Sequence, residues 1–356
     1  MSGIHADNFD IYGGNVALMT NGRYSSVGAA AIVNDPDGVS VPQVIVFNGN
    51  GGMRRALKVP TNKVGIGMRI WLSSLPSDDA MRPTPCIWSD ASNTNMFYFK
   101  VNTTGSISAY VWDTTSGAFG NPYLIGTTPG PVITANAWWQ IEAYFDGAAL
   151  EFELRVEGVP KLTLDSTDFA GHLHNGPNVY QCSFGSAANF IGASINTYCK
   201  DYFWWDGLGS ENNTFRGSCL VFASRPDGDV DIGGWVPSTG TDAWPILDTT
   251  TPGSTPYVAA GIPPVDPLIM SQTDLPPDIT SIKFLVTVVR AAKVDGGDGN
   301  LQVSLLSGGD IADGEDRPIT AAQTYWEDVC ELDPHTSAPW VPAAFDASDI
   351  QLNRTV

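Results

Sequence analysis

The chain has 356 residues, with 38 acidic against 18 basic side chains and a formal net charge of −20. Such a surplus of negative charge lacks the attraction to phosphates on which nucleic-acid binding rests. No run of about 18 apolar residues offers a membrane-spanning helix, so the sequence argues against both nucleic acid and membrane as partners. Hydrophobic residues (43%) and aromatics (10%) supply packed cores, while 37 glycines and 25 prolines favour short strands joined by turns over helices.

Taken in chain order, Met1–Gly14 shows neither a basic nor an apolar leader region, which reads as no secretory signal. The five cysteines (Cys86, Cys182, Cys199, Cys219, Cys330) form no CxxC pair. Reduced thiols are therefore expected, with Cys182–Cys199 the one conceivable bridge. Residues 1–38 read as loop-rich, and Asn34-Asp35-Pro36-Asp37-Gly38 as a turn. Val41–Phe47 and Val64–Leu72 read as buried strands, and Met96–Val101 with Ser106–Trp112 as a hairpin.

The strongest pattern lies at 137–165. Apolar and polar residues nearly alternate from Trp139 to Phe145, Asp146-Gly147 turns the chain, and Glu151–Val156 alternates strictly. Phe152, Leu154 and Val156 should face a core and the charged residues between them water, in an antiparallel meander whose third strand, Lys161–Asp165, follows the turn Gly158-Val159-Pro160. Ala187–Ile195 and Tyr198–Trp205 are further apolar runs, and Cys219–Ala223 reads as a short strand. From Ser224 to Pro267 proline, threonine and glycine dominate and periodicity fades. The domains expected are 1–224, a proline-rich linker or arm at 225–267, and a small β domain at 268–356. Within the last, a long strand over Ile279–Ala291 should form a hairpin with Leu301–Leu305 through the loop Asp295–Asn300. Thr324–Leu332 and the region around Trp340 complete the small domain.

At 137–164 the chain resembles the laminin-G/concanavalin A-like jelly rolls. The elements concerned are Trp138-Trp139, the Asp146-Gly147 turn, the strand Phe152–Glu157 and the turn Glu157-Gly158-Val159. The resemblance extends over roughly residues 5–223 and implies an antiparallel jelly-roll sandwich. The join beyond it, DYFWWDGLGSENNTFRG from Asp201 to Gly217 and then Pro226–Asp229, resembles virion structural proteins of tailed bacteriophages. Trp235-x-Pro237 and Asp333-Pro334-x-Thr336 with Trp340 resemble the distal domain of those proteins. Lys200-Asp201 stands where that family commonly has an Asp-Asp pair.

Candidate chemistry is sparse. The retaining-glycosidase jelly rolls imply a Glu-x-Asp-x-x-Glu strand with two carboxylates about 5 Å apart. Glu151, Glu153 and Glu157 share a strand face but have the wrong motif, and Arg155 stands among them. His172 and His174 could share one side of a strand as a metal pair without an evident third ligand. Gly49–Gly52 before Arg54-Arg55 is glycine-rich but no helix follows, and a loop is the reading. Asp227, Asp229 and Asp231 alternate in a loop-like segment whose oxygens suit Ca²⁺, the one cofactor this pattern admits. Trp204 and Trp205 are adjacent, so in a strand they point to opposite faces and one must leave the core. Together with Trp235 and Trp244 they are the candidate interface or binding residues.

The expectation is an all-β protein: a concanavalin A-like antiparallel jelly-roll sandwich followed by a smaller β-sandwich domain. The resemblance implies a non-catalytic structural component of a tailed-phage virion, made in the host cytoplasm. It would work through contacts with other virion proteins and with copies of itself. A carbohydrate-binding module that adheres to a host surface glycan is the alternative, and a glycan depolymerase a more remote one.

Overall fold

Alternation sets the strands of the first half, and the computed structural model shows where each face goes. It describes residues 4–12, 15–21, 23–38, 43–77, 86–89, 95–112, 122–169, 172, 178–185, 195–207, 213–217, 219–249, 255–261, 265–294 and 299–355. The chain divides into two compact units, Met1–Asp10 with Gly14–Val221, and Ile11–Gly13 with Phe222–Val356. Both are built almost wholly of antiparallel strands.

The first unit contains β1 (Ile4–Asp7), β2 (Ser26–Asn34), β3 (Gln43–Thr61), β4 (Lys63–Leu72), β5 (Cys86–Ser89), β6 (Asn95–Val101) and β7 (Ile107–Trp112). It continues with β8 (Pro122–Thr127), β9 (Trp138–Asp146), β10 (Glu151–Val156), β11 (Val159–Leu164), β12 (Val179–Gly185) and β13 (Asn196–Trp205). Their order is β11-β10-β9-β4-β13-β3-β12-β5-β6-β7-β8, with β1 added to β13 and β2 to β3. The long strand β3 joins the two halves of this order. Its Ile45–Asn48 stretch pairs with β13 and its Gly52–Thr61 stretch with β12. The halves close on each other through aromatic side chains. Phe97 of β6 lies 4.6 Å from Phe152 of β10 and 5.3 Å from Phe145 of β9, ring centre to ring centre. This is a two-layer sandwich whose inner faces supply one core.

The expected meander is present, with Phe152 opposite Phe145 and Leu154 opposite both Ala143 and Leu162. Phe152, Leu154 and Val156 are all buried. The β6–β7 hairpin is also as expected, with Val101 opposite Ile107. Three readings are corrected. Residues 26–34 form a strand inside the stretch read as loop, because β3 is long enough to pair with β2 as well as with β12 and β13. Gly49–Gly52 is not a loop but runs within β3. Residues 219–223 form no strand, and 187–194 lie outside the described residues.

The second unit contains β14 (Pro226–Asp231), β15 (Trp235–Pro237), α1 (Trp244–Leu247), β16 (Val258–Ala260), β17 (Leu268–Gln272), β18 (Leu285–Ala291), β19 (Asn300–Ser307), β20 (Asp310–Asp313), β21 (Arg317–Pro318), β22 (Thr324–Cys330), α2 (Pro342–Asp346) and β23 (Asp349–Arg354). Its main sheet runs β14-β17-β23-β19-β20 with β21 beside β19, while β15–β16 and β18–β22 form two ribbons. Leu268, Met270, Leu301, Val303 and Leu352 form its core with Trp235 and Ala243. The segment 225–267, read as a linker or arm, is instead part of this unit. Proline interrupts its periodicity, but β14 pairs with β17, and Trp235, Ala243 and Ile246 are buried. The expected hairpin across 295–300 is also corrected. β18 is shorter, begins at Leu285 and pairs with β22, whereas β19 pairs with β20, β21 and β23. Both strands alternate well enough for either partner, and alternation cannot choose between them.

Candidate functional site

The most site-like surface of the first unit is the outer face of β9, β4 and β13. On β4 the residues Val64, Ile66, Met68, Ile70 and Leu72 point to the core, which leaves Lys63, Gly65, Gly67, Arg69 and Trp71 on the other side. Cross-strand register extends these positions into rows. Trp71 stands opposite Trp138 on one side and Tyr198 on the other, so three aromatic residues lie side by side across three strands. All three are half-buried. The Trp71 and Tyr198 rings meet edge to face, with centres 5.0 Å apart.

The next row is polar: Gln140, Arg69 and Lys200. Lys200 Nζ lies 4.1 Å from the centre of the Trp138 ring and forms an ion pair with Asp35, whose side chain is fully buried. Trp138 Nε1 donates to the other Asp35 oxygen at 3.0 Å. Asp35 therefore fixes both the indole and the ammonium. The turn containing it closes with Gly38 N–H donating to Asp35 O, as the sequence leads one to expect. Arg69 Nε donates to Gln140 Oε1 at 3.3 Å and lies 3.6 Å from Asp201 Oδ2. Gln140 is 1% exposed, and its Nε2 meets no hydrogen-bond partner among the described residues. Glu157 accepts the Gln140 backbone N–H at 2.7 Å.

A strap formed by residues 215–217 and 219–221 closes the third row. Arg216 and Gly217 N–H donate to the two oxygens of Glu142, and Val221 N–H donates to Asp201 Oδ1. Burial pushes the Glu142 carboxyl above its ordinary range, and the two N–H donors pull it back. Burial likewise raises Asp201, opposed by the Val221 N–H and by Arg69. Phe215 packs against Tyr144 and Trp205, with the Arg155 guanidinium 3.9 Å from its ring centre.

No protein-family model matches the chain, and no curated protein matches it. Among solved structures, a sialidase aligns with TM-score 0.38 and 8% identity, over 57% of this chain and 18% of its own length. The carbohydrate-binding module CBM66 from Bacillus subtilis aligns with TM-score 0.33 and 8% identity, over 50% of this chain and 92% of its own. Domain 4 of AbnA, a GH43 extracellular arabinanase from Geobacillus stearothermophilus in complex with arabinotriose, aligns with TM-score 0.39 and 12% identity, over 58% and 93%. The chain thus spans less than a fifth of the sialidase. The fold stands on the strand pairing above, independently of these alignments.

The tryptophans singled out in the sequence are elsewhere. Trp204 and Trp205 do point to opposite faces, but neither leaves the protein: they are 2% and 1% exposed. Trp204 lies against His5 on the inner face, while Trp205 stacks on Phe203 beneath Phe215 and Arg216 of the strap. Both faces of β13 are covered here, which alternation alone does not reveal. Trp235 is buried in the second unit, and Trp244 is half-buried at the start of α1.

Each of the three aspartates of β14 accepts from a protein donor. Asp227 accepts from Ser271, Asp229 from the Ala243 and Trp244 N–H groups that open α1, and Asp231 from Gly233 N–H. Among the described residues no three His, Cys, Asp or Glu side chains are grouped to hold a metal ion. His172 stacks on Tyr123, and His174 lies outside the described residues. Glu153 pairs with Arg155 at 2.6 Å. Cys182 and Cys199 are both buried, and burial raises the Cys199 thiol well above its ordinary value.

The row Trp138–Trp71–Tyr198 was not legible as a unit in the sequence. The signal was there, since each aromatic sits near one end of an expected strand. What joins them is register between strands that are distant in the chain, and no local pattern specifies it.

Proposed function

We propose that this protein is a non-catalytic glycan-binding protein whose jelly-roll unit binds sugar on the outer face of β9, β4 and β13. The tailed-phage virion implied by the sequence resemblance is the setting in which that binding serves adhesion to a host surface. The observation that carries the reading is the row of three half-buried aromatics, Trp138, Trp71 and Tyr198, with the partly exposed Arg69 side chain beside it. A sugar ring has an apolar C–H face, which suits the electron-rich face of an aromatic ring, and a rim of hydroxyls, which need hydrogen-bonding partners. Aromatic contact with a few convergent polar groups is the general composition of small-ligand sites.

The test is a glycan array followed by titration calorimetry of the best ligand. Trp71→Ala and Tyr198→Ala should each weaken binding by about tenfold or more, the loss typical of a contact that carries binding energy. Thermal unfolding of each variant checks that the fold persists. An array on which nothing binds the native protein, or full affinity in both variants, would sink the proposal. The absence of catalysis is tested on the same ligand: no reducing ends should appear on prolonged incubation.

A further inference from the structure

We infer that Asp35 is a positioning residue of the glycan-binding face: it fixes the Trp138 ring in place before a ligand arrives. This rests on the glycan-binding reading and adds to it a buried residue that acts through a member of the aromatic row.

The aromatics of the row are held in two ways. Trp71 and Tyr198 brace each other edge to face, with ring centres 5.0 Å apart. Trp138, the first residue of β9, is braced by a carboxylate. Asp35 Oδ1 accepts its indole N–H at 3.0 Å, and Oδ2 pairs with Lys200. The Lys200 ammonium in turn sits 4.1 Å from the centre of the Trp138 ring. One carboxylate thus holds the indole directly by its edge and, through the ammonium, by its face. The turn that carries Asp35 sets its place, since Asp37 N–H donates to Oδ1 and Gly38 N–H to the Asp35 carbonyl, both at 3.1 Å.

Burial marks this arrangement as more than an ion pair. The Asp35 side chain is fully buried, whereas the Trp138 ring it holds is only half-buried. Withdrawing two charges from water is unfavourable, and apolar residues of similar volume often hold a core as well or better. What the pair supplies is orientation. An indole free to rotate loses that freedom when a ligand docks, which weakens binding by about twofold to tenfold per immobilised side chain. An indole anchored on folding has lost it already.

The test uses the whole protein and changes both charges together, since removing one partner alone would strand the other in the interior. The first pair, Asp35→Asn with Lys200→Met, keeps an acceptor for the indole. The second, Asp35→Leu with Lys200→Met, does not. Nuclear magnetic resonance follows the indole N–H signals, that of Trp138 being assigned by its loss in Trp138→Phe. Without ligand this N–H should exchange slowly with solvent in the native protein and the first pair, and at least about tenfold faster in the second. Calorimetry with the best-binding oligosaccharide of the glycan array should give an affinity about threefold to tenfold lower in the second pair than in the first. In a Trp138→Phe background, which has no indole N–H, the two pairs should agree to within about twofold. Equal affinities of the two pairs, a difference that persists in Trp138→Phe, or a loss of affinity without faster exchange overturns the positioning role and leaves glycan binding standing. Rapid exchange of the Trp138 N–H in the native protein overturns it too, whether or not the variants fold. Binding of no saccharide, or binding indifferent to both Trp71→Ala and Tyr198→Ala, overturns the underlying reading and this one with it.

Discussion

At the scale of single residues, the outer face of β13 is packed against two glycines of β4. A Cβ at Gly65 would come within 2.0 Å of the Trp205 ring, and one at Gly67 within 2.1 Å of Phe203. The absent side chains make room for the rings, and the strap then seals them. Gly65→Ala should therefore lower stability by about 1–3 kcal/mol, the range for overpacking a filled core. Gly28→Ala, whose Cβ meets nothing within 4 Å, should change it little. Urea midpoints of the two variants check this, and equal midpoints would refute the packing argument. The adjacent tryptophans were legible in sequence as pointing to opposite faces. Their burial was not, because the cover on the outer side comes from residues 215 and 216, past the end of the strand.

A second residue-scale prediction concerns pH. His5, Asp7, Arg23 and Tyr24 form a buried network. Arg23 reaches Asp7 and the Ala6 carbonyl, and Tyr24 donates to Asp7. Burial, with Arg55 and Arg23 adding to it, holds the His5 imidazole well below its ordinary value of 6.5, while Asp7 opposes the shift. The unfolded chain takes up a proton here as pH falls through 6.5 and the native protein does not. Its contribution to stability is therefore complete above that value and is lost as pH falls towards the native pKa. Stability should fall more steeply between pH 7 and pH 5 in the native protein than in His5→Gln. Urea unfolding of both at the two pH values measures the difference, and equal slopes would exclude His5 as a cause.

At the scale of elements, the readings that held were local ones. The meander β9–β10–β11 and the hairpin β6–β7 join strands close in sequence through turns whose chemistry is visible, so alternation and turn residues agree. The β18–β19 hairpin had the same appearance and is wrong, because β22 competes for β18 from about 35 residues away. The acidic segment of β14 shows the same limit. Alternating aspartates suggested a cation, but Asp229 accepts the Ala243 and Trp244 N–H groups at 2.6 and 2.9 Å, where the chain enters α1. Asp229→Ala should cost about 1 kcal/mol, as loss of a helix cap does. The cost should be the same with Ca²⁺ or with chelator. If Ca²⁺ instead raised the unfolding temperature of the native protein but not of the variant, Asp229 would be acting as a ligand.

At the scale of the whole molecule, the division into units is not a single cut. Ile11–Gly13 belongs with Phe222–Val356, although the chain on either side of it belongs to the first unit. Nothing in the composition of residues 1–38 marks this, since three residues carry no periodicity. The link is made by side chains. Tyr12 is fully buried, its ring 5.6 Å from that of Tyr325, and Tyr325 donates its hydroxyl to the Ile11 carbonyl at 3.3 Å. Tyr325 lies in β22, which pairs with β18 over seven residues from Leu285 to Ala291, and the Arg290 guanidinium lies 5.7 Å from the same ring. Tyr12 thus supports a two-stranded ribbon, an element of marginal stability unless something packs on it. Tyr12→Ala should destabilise the second unit by about 3 kcal/mol, the lower end for deleting a buried aromatic. Hydrogen exchange can localise the effect. Amides of β18 and β22 should lose protection while those of the β9–β10–β11 meander keep theirs. Equal loss in the meander would mean that Tyr12 serves the first unit as well, and unchanged protection of β22 would mean that the ribbon stands without it.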